Sequence, residues 1–211
     1  MSDTASGPRL IKGALVSGIQ VIPFQYNPET LSRTVVATAP AGGGMGSTSE
    51  ALRLNGPPKE TITVEIHLDA TDQLADGDAT AAAVGVSPML AALELLLYPP
   101  SALAIANEVL ALVGIIEVVP MVAPLCLFVW GPQRVLPVRI NQLAITEELF
   151  DQNLNPIQAK VSLSLQVLNY QDLGFASVGG AIFLGQQMAK EAMATLATSS
   201  AGALLTGIPG V

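Results

Sequence analysis

The sequence predicts an α+β fold that is mainly β, with helices beside the sheet and at the C-terminus. Three observations carry this. Glu60–Leu68, ETITVEIHL, alternates apolar and polar residues without a fault, and Pro156–Leu168 does so over a longer run. Two other stretches read as helices instead: MLAALELLLY after a Ser-Pro start, and AIFLGQQMAKEAMATLAT with an apolar stripe at helical spacing. Period two marks a strand with one buried and one wet face, whereas spacings of three and four mark a helix.

In chain order, Leu10–Val21 reads as a first strand, and Ala39–Ser49, APAGGGMGSTS, as a flexible surface loop. GPPK, Gly56–Lys59, is a turn leading into the alternating strand. There Ile62, Val64, Ile66 and Leu68 face one way, and Thr61, Thr63, Glu65 and His67 the other. Asp69–Ala83 reads as a solvated acidic loop, because no glutamate closes it and its glycine is misplaced for a calcium loop. Ser87 caps the next helix with Pro88 in its first turn, and Pro99-Pro100 stops it after Tyr98. That helix is apolar nearly all round, which predicts burial on more than one side. Ser101–Val113 fits a second helix.

Leu125–Trp130 is an apolar strand ended by Gly131-Pro132. In the strand after it, Leu136, Val138 and Ile140 share one parity while Leu143 and Ile145 have the other. Such a slip predicts a bulge, and bulges curl a sheet toward a barrel. In the last strand Ile157, Ala159, Val161, Leu163, Leu165 and Val167 face inward, and Gln158, Lys160, Ser162, Ser164 and Gln166 outward. A C-terminal helix follows over Ala181 to about Thr198, with Ile182, Ala189, Met193 and Leu196 as its stripe.

The chain has 211 residues, half of them hydrophobic and 12% charged, with net charge −8. So little charge suits a protein whose surface is covered by partners. No basic cluster is present, which argues against nucleic acid as a partner. One cysteine, Cys126, and one histidine, His67, exclude a disulfide within the chain and a His/Cys zinc site. No metal and no cofactor is expected. The N-terminus lacks the apolar core of a Sec signal. Glu108, Glu117, Pro120 and Pro124 interrupt Ala102–Trp130, so no membrane span is expected there. Phosphate-binding glycine loops and a nucleophile elbow are absent, and His67 has no visible partner to orient it. Catalysis is not expected.

LIKGALV, FQYNPETLSRT, MLAALELLLYPP, LFVWGPQRVLPVRI, AITEELFDQNLNPIQAKVSLSLQVL and NYQDL occur in that order. Together, over about Leu10–Leu173, they resemble the contractile injection system tube protein family of phage-tail-like particles. The resemblance implies a tube-type β-barrel of two curved, packed antiparallel sheets with a flanking helix. It further implies a hexameric ring between a trimeric spike and the inner tube, with other baseplate subunits as neighbours. Such a particle assembles in the bacterial cytoplasm and can be released. Residues 1–175 would form the barrel domain, with a helical insertion at about 87–113. Residues 176–211 would be a helical extension in place of the LysM module many members carry. The alternative is a β-barrel carrier of a small hydrophobic ligand, and a third reading is a membrane-associated protein.

The residues singled out are interface or loop-anchoring candidates. Phe24, Tyr26, Asn27, Pro28 and Leu31 belong to FQYNPETLSR. Asn27 is expected to cap a single helical turn over Pro28–Thr30, making this segment a connector rather than a catalytic loop. Trp130, with Phe128, is a candidate for core or for a subunit anchor. Arg33, Arg134 and Arg139 are candidates for contacts between subunits to acids such as Glu147 or Asp151.

Overall fold

The computed structural model describes residues 11–18, 20–38, 54–112 and 123–205, the backbone alone for 198–205. The strands are β1 (Ala14–Ser17), β2 (Gln20–Pro23), β3 (Leu31–Val36), β4 (Lys59–Asp69), β5 (Cys126–Val129), β6 (Val135–Phe150) and β7 (Pro156–Val167). The helices are α1 (Thr71–Ala75), α2 (Ala79–Val84), α3 (Ser87–Glu94), α4 (Ser101–Leu112), α5 (Tyr170–Leu173) and α6 (Val178–Leu205).

All seven strands join one antiparallel sheet in the order β2-β1-β5-β6-β7-β4-β3. The α+β expectation holds. The expected closure does not: one sheet stands where two were expected, and it is not closed into a barrel. Its edges are the short strands β2 and β3, of four and six residues, and they are not hydrogen-bonded to each other. The predicted slip is a bulge between Ile140 and Gln142 of β6. It returns Leu143 and Ile145 to the inner face, opposite Leu163 and Val161 of β7.

The alternating residues of β4 and β7 form the centre of the core. Ile62, Val64, Ile66, Val161, Leu163 and Leu165 are essentially inaccessible to water. Leu15, Phe24 and Phe128 join them from the β1–β5 side, Ala81, Val86, Leu90 and Leu93 from the helices, and Phe183 from α6. One contact fixes the helices on β7. Gly85 adopts φ +58°, and a Cβ there would collide with the carbonyl of Pro156. The next amide, that of Val86, donates to that carbonyl at 2.9 Å.

Several local expectations change. Leu10–Val21 is not one strand: a tight turn with Gly18 at φ +57° folds it into the β1–β2 hairpin. The acidic stretch is two short helices, because Asp78 accepts from the amides of Thr80 and Ala81 and caps α2. Ser87 lies inside α3 and caps nothing; Val86 holds that position without a side-chain bond. The helix stops at Glu94, so Leu95, Leu97 and Tyr98 are exposed rather than buried all round. In α6 the predicted stripe is half-buried at Ile182 and Ala189, but Met193 and Leu196 are exposed. The Gly-rich loop at 39–49 lies outside the described residues, as does 113–122 of the apolar stretch.

Cys126 faces the core from β5 with 6% of its surface exposed, and burial pushes its thiol up from 9.0 to about 11. The native thiol is therefore expected to resist iodoacetamide at neutral pH and to react once the chain is unfolded in urea. A raised folded pKa contributes stability that is full below 9.0 and lost as pH rises toward 11. Urea midpoints measured across that window should fall, and fall less in Cys126→Ala.

Candidate functional site

The face of the sheet turned away from the core is polar across its three long strands. Register aligns Arg139, Gln166 and Thr61 in one row and Gln142, Ser164 and Thr63 in the next. Thr146, Lys160 and His67 form another row, and Glu148, Gln158 and Asp69 the last. Side chains link neighbouring strands within rows: Arg139 donates to Gln166 at 2.8 Å, and Gln158 to Asp69 at 2.8 Å. Lys160 reaches Glu148 at 2.8 Å, and this contact holds the ammonium pKa above its usual value. Burial works against ionisation of Asp69, but hydrogen bonds from Thr71 and Gln158 outweigh it and lower the carboxyl pKa. The bulge is what makes this face continuous, since without it β6 would present Leu143 and Ile145 here.

His67 is exposed on this face, 3.4 Å from Glu65. Both border a polar cleft of about 350 Å³ with Tyr26 and Thr30. Neither hydroxyl is hydrogen-bonded to the imidazole among the described contacts, so the base–nucleophile geometry of covalent catalysis is not assembled. Among the described residues, no group of three His, Cys, Asp or Glu side chains is placed to hold a metal.

FQYNPETLSR is a connector stitched to the chain before β1. Phe24 is fully buried against Phe128 and Trp130, with ring centroids 6.3 and 6.4 Å away. Asn27 does not cap a helical turn, and Pro28–Thr30 is not helical. Its carboxamide points back instead, accepting from Gly13 N–H at 3.0 Å and donating to the Ile11 carbonyl at 2.9 Å. Gln25, which the sequence does not single out, pairs both ways with the backbone of Asp69 at 2.6 and 2.8 Å. Pro28 is half-buried, Leu31 packs on the core, and Tyr26 is exposed beside His67.

Trp130 is half-buried, stacked on Phe128 at 5.8 Å. Its amide donates to the Arg134 carbonyl at 2.8 Å across the β5–β6 turn. Within the chain, Arg33 pairs with Glu60 at 2.6 Å, not with Glu147 or Asp151. Glu60 is 4% exposed, and its second oxygen meets Lys190 of α6 at 3.2 Å. One carboxylate thus ties the edge strand β3, its neighbour β4 and the C-terminal helix together. The sequence hides this, because the partners lie 27 and 130 residues from Glu60. The signal was an acidic residue at an inward position of an alternating strand.

At the far end of β6, Glu147 is exposed opposite Ala159. Asp151 organises the β6–β7 turn by accepting from the amides of Asn153 and Asn155 at 2.7 and 2.8 Å, and from the Asn155 carboxamide at 2.9 Å. The bond from the Asn155 side chain is the main reason its carboxyl lies below the usual range. Leu149, Phe150 and Leu154 are exposed around this turn.

A family model described as contractile injection system tube protein matches residues 14–174. No curated protein matches the chain.

Asn27→Ala removes two hydrogen bonds and is expected to lower unfolding stability by about 1–2 kcal/mol in a denaturant titration. Glu60→Ala leaves two cations without a counter-charge. Both reach water, so the expected loss is about 1.5–3 kcal/mol, below that for a fully buried pair. Hydrogen exchange should then quicken in α6 around Lys190 more than in β7.

Proposed function

The chain belongs to the contractile injection system tube protein family, and from that premise we propose that it is a baseplate hub or tube-initiator subunit. In this reading it forms a hexameric ring that joins a trimeric spike to the inner tube and templates tube assembly. The observation that carries the reading is the polar outward face of β4, β7 and β6, which suits the wall of a water-filled lumen. Surface for neighbouring subunits is at hand. The edge strands β2 and β3 expose Val21, Val35 and Val36, α4 exposes Ile105, Val109 and Leu112, and the β6–β7 turn exposes Leu149, Phe150 and Leu154. Interfaces of permanent assemblies are apolar in this way.

The protein acts by fit, without catalysis or a cofactor. Its partners are further copies of itself, the spike, the inner tube and other baseplate subunits, assembled in the bacterial cytoplasm. Residues 1–175 serve as the tube-like domain and 176–211 as an extension. Among the described residues, no helix is long and apolar enough to cross a membrane.

One observation favours a carrier of small hydrophobic ligands as a second reading. A cavity of about 480 Å³ lies between Leu96, Leu125, Val138, Ile140, Leu168 and Leu173. Pockets of this size and lining take apolar ligands.

Electron microscopy of the purified protein or particle distinguishes the two. Hexameric rings are expected. A monodisperse monomer at high concentration would overturn the hub reading, and a lipid extracted from that monomer would establish the carrier.

A further inference from the structure

The sequence has nine cationic side chains, and three of them, Arg33, Arg134 and Lys190, line one cavity of about 260 Å³. The cavity lies between β3, the β5–β6 turn and α6, with Trp130 and Gln186 in its wall. Glu60 sits behind it and gives one oxygen to Arg33 and the other to Lys190. Three cations against one carboxylate leave a formal +2 in a chain of net −8. Glu191, next to Lys190, is the acceptor for Gln187 at 3.4 Å and does not line the cavity.

Arg134 is the unanswered charge. Its carbonyl is fixed by the Trp130 amide, but no acid among the described residues pairs with its guanidinium. A guanidinium is a planar fork that matches a carboxylate with two parallel hydrogen bonds. The indole of Trp130 and the side chain of Met193 give the same cavity apolar wall. A bare anion would leave that wall unmatched, whereas an acidic side chain brings methylenes to cover it. Long polyanions are disfavoured by the chain's net negative charge.

The geometry points to a carboxylate-recognition pocket centred on Arg134, which takes an acidic side chain presented by another polypeptide. Arg134 grips the carboxylate, Gln186 supplies an amide, and Arg33 and Lys190 hold the local potential positive while remaining tied to Glu60. This depends on the chemistry of the pocket alone and does not require a ring.

Trp130 is the only tryptophan in the sequence, so its emission reports directly on the cavity. A blocked tetraglutamate peptide titrated into the full-length protein is expected to change that emission saturably, and a tetraglutamine peptide to leave it unchanged. Arg134→Gln should weaken binding by about tenfold, and Arg134→Lys should also weaken it because the fork is lost. Lys160→Gln, on the opposite face of the sheet, should bind normally. Circular dichroism of each variant separates a lost pocket from a lost fold. The inference is overturned if tetraglutamate gives no saturable change, if both folded Arg134 variants bind as the parent does, or if inorganic phosphate binds as tightly as the peptide.

Discussion

The register between β6, β7 and β4 is the constraint on which the rest of the structure depends. Side chains alternate with period two, so a slip of one residue would turn Val161, Leu163 and Leu165 to water and their polar neighbours inward. Two long strands satisfy this by alternation alone. β6 cannot, because its apolar residues change parity between Ile140 and Leu143, and the bulge absorbs the extra residue. Core and polar wall are therefore set together. The wall is the reverse side of whatever fixes the core.

Glu60 extends the same order to the periphery. Desolvating a carboxylate is costly, and both of its oxygens are occupied by cations that retain some contact with water. An apolar residue there would pack on the core, yet it would not specify where β3 and α6 come to rest. The pairing supplies direction where burial supplies only adhesion. Beyond Lys190 the described side chains of α6 are exposed, so burial against the sheet ends close to this contact.

Much of this was legible in the sequence where a single period governs many residues. Glu60–Leu68 and Pro156–Leu168 gave their strands and faces, and Leu136–Ile145 gave the bulge. Failures came where one local bond decides the conformation. The Asp78 cap turned an apparent loop into two helices, and the left-handed turn at Gly18 split the first strand. Asn27 was legible as a connector residue, but not its direction, because an asparagine before proline can bond forward or back. Of the charged candidates, Arg33 and Asp151 are satisfied within the chain by partners that periodicity does not name. Gln25 and Lys190 were not visible for the same reason, and Glu60 showed only as an acid at an inward position: their contacts are long-range and involve single side chains. Whether the sheet closes depends on how short edge strands meet, and alternation carries no information on that.

The strand order also bears on when the protein can fold during synthesis. β7 and β6 emerge late, yet they occupy the middle of the sheet, while β1, β2 and β3 emerge first and lie near or at its edges. The inner pairing of β1 must wait for β5, and that of β4 for β7, so the N-terminal strands spend translation with half their backbone groups unanswered. Pairings so distant in sequence form slowly and leave strand edges open to other chains meanwhile. A nascent chain of this topology has reason to need either a chaperone or swift completion of its C-terminal half.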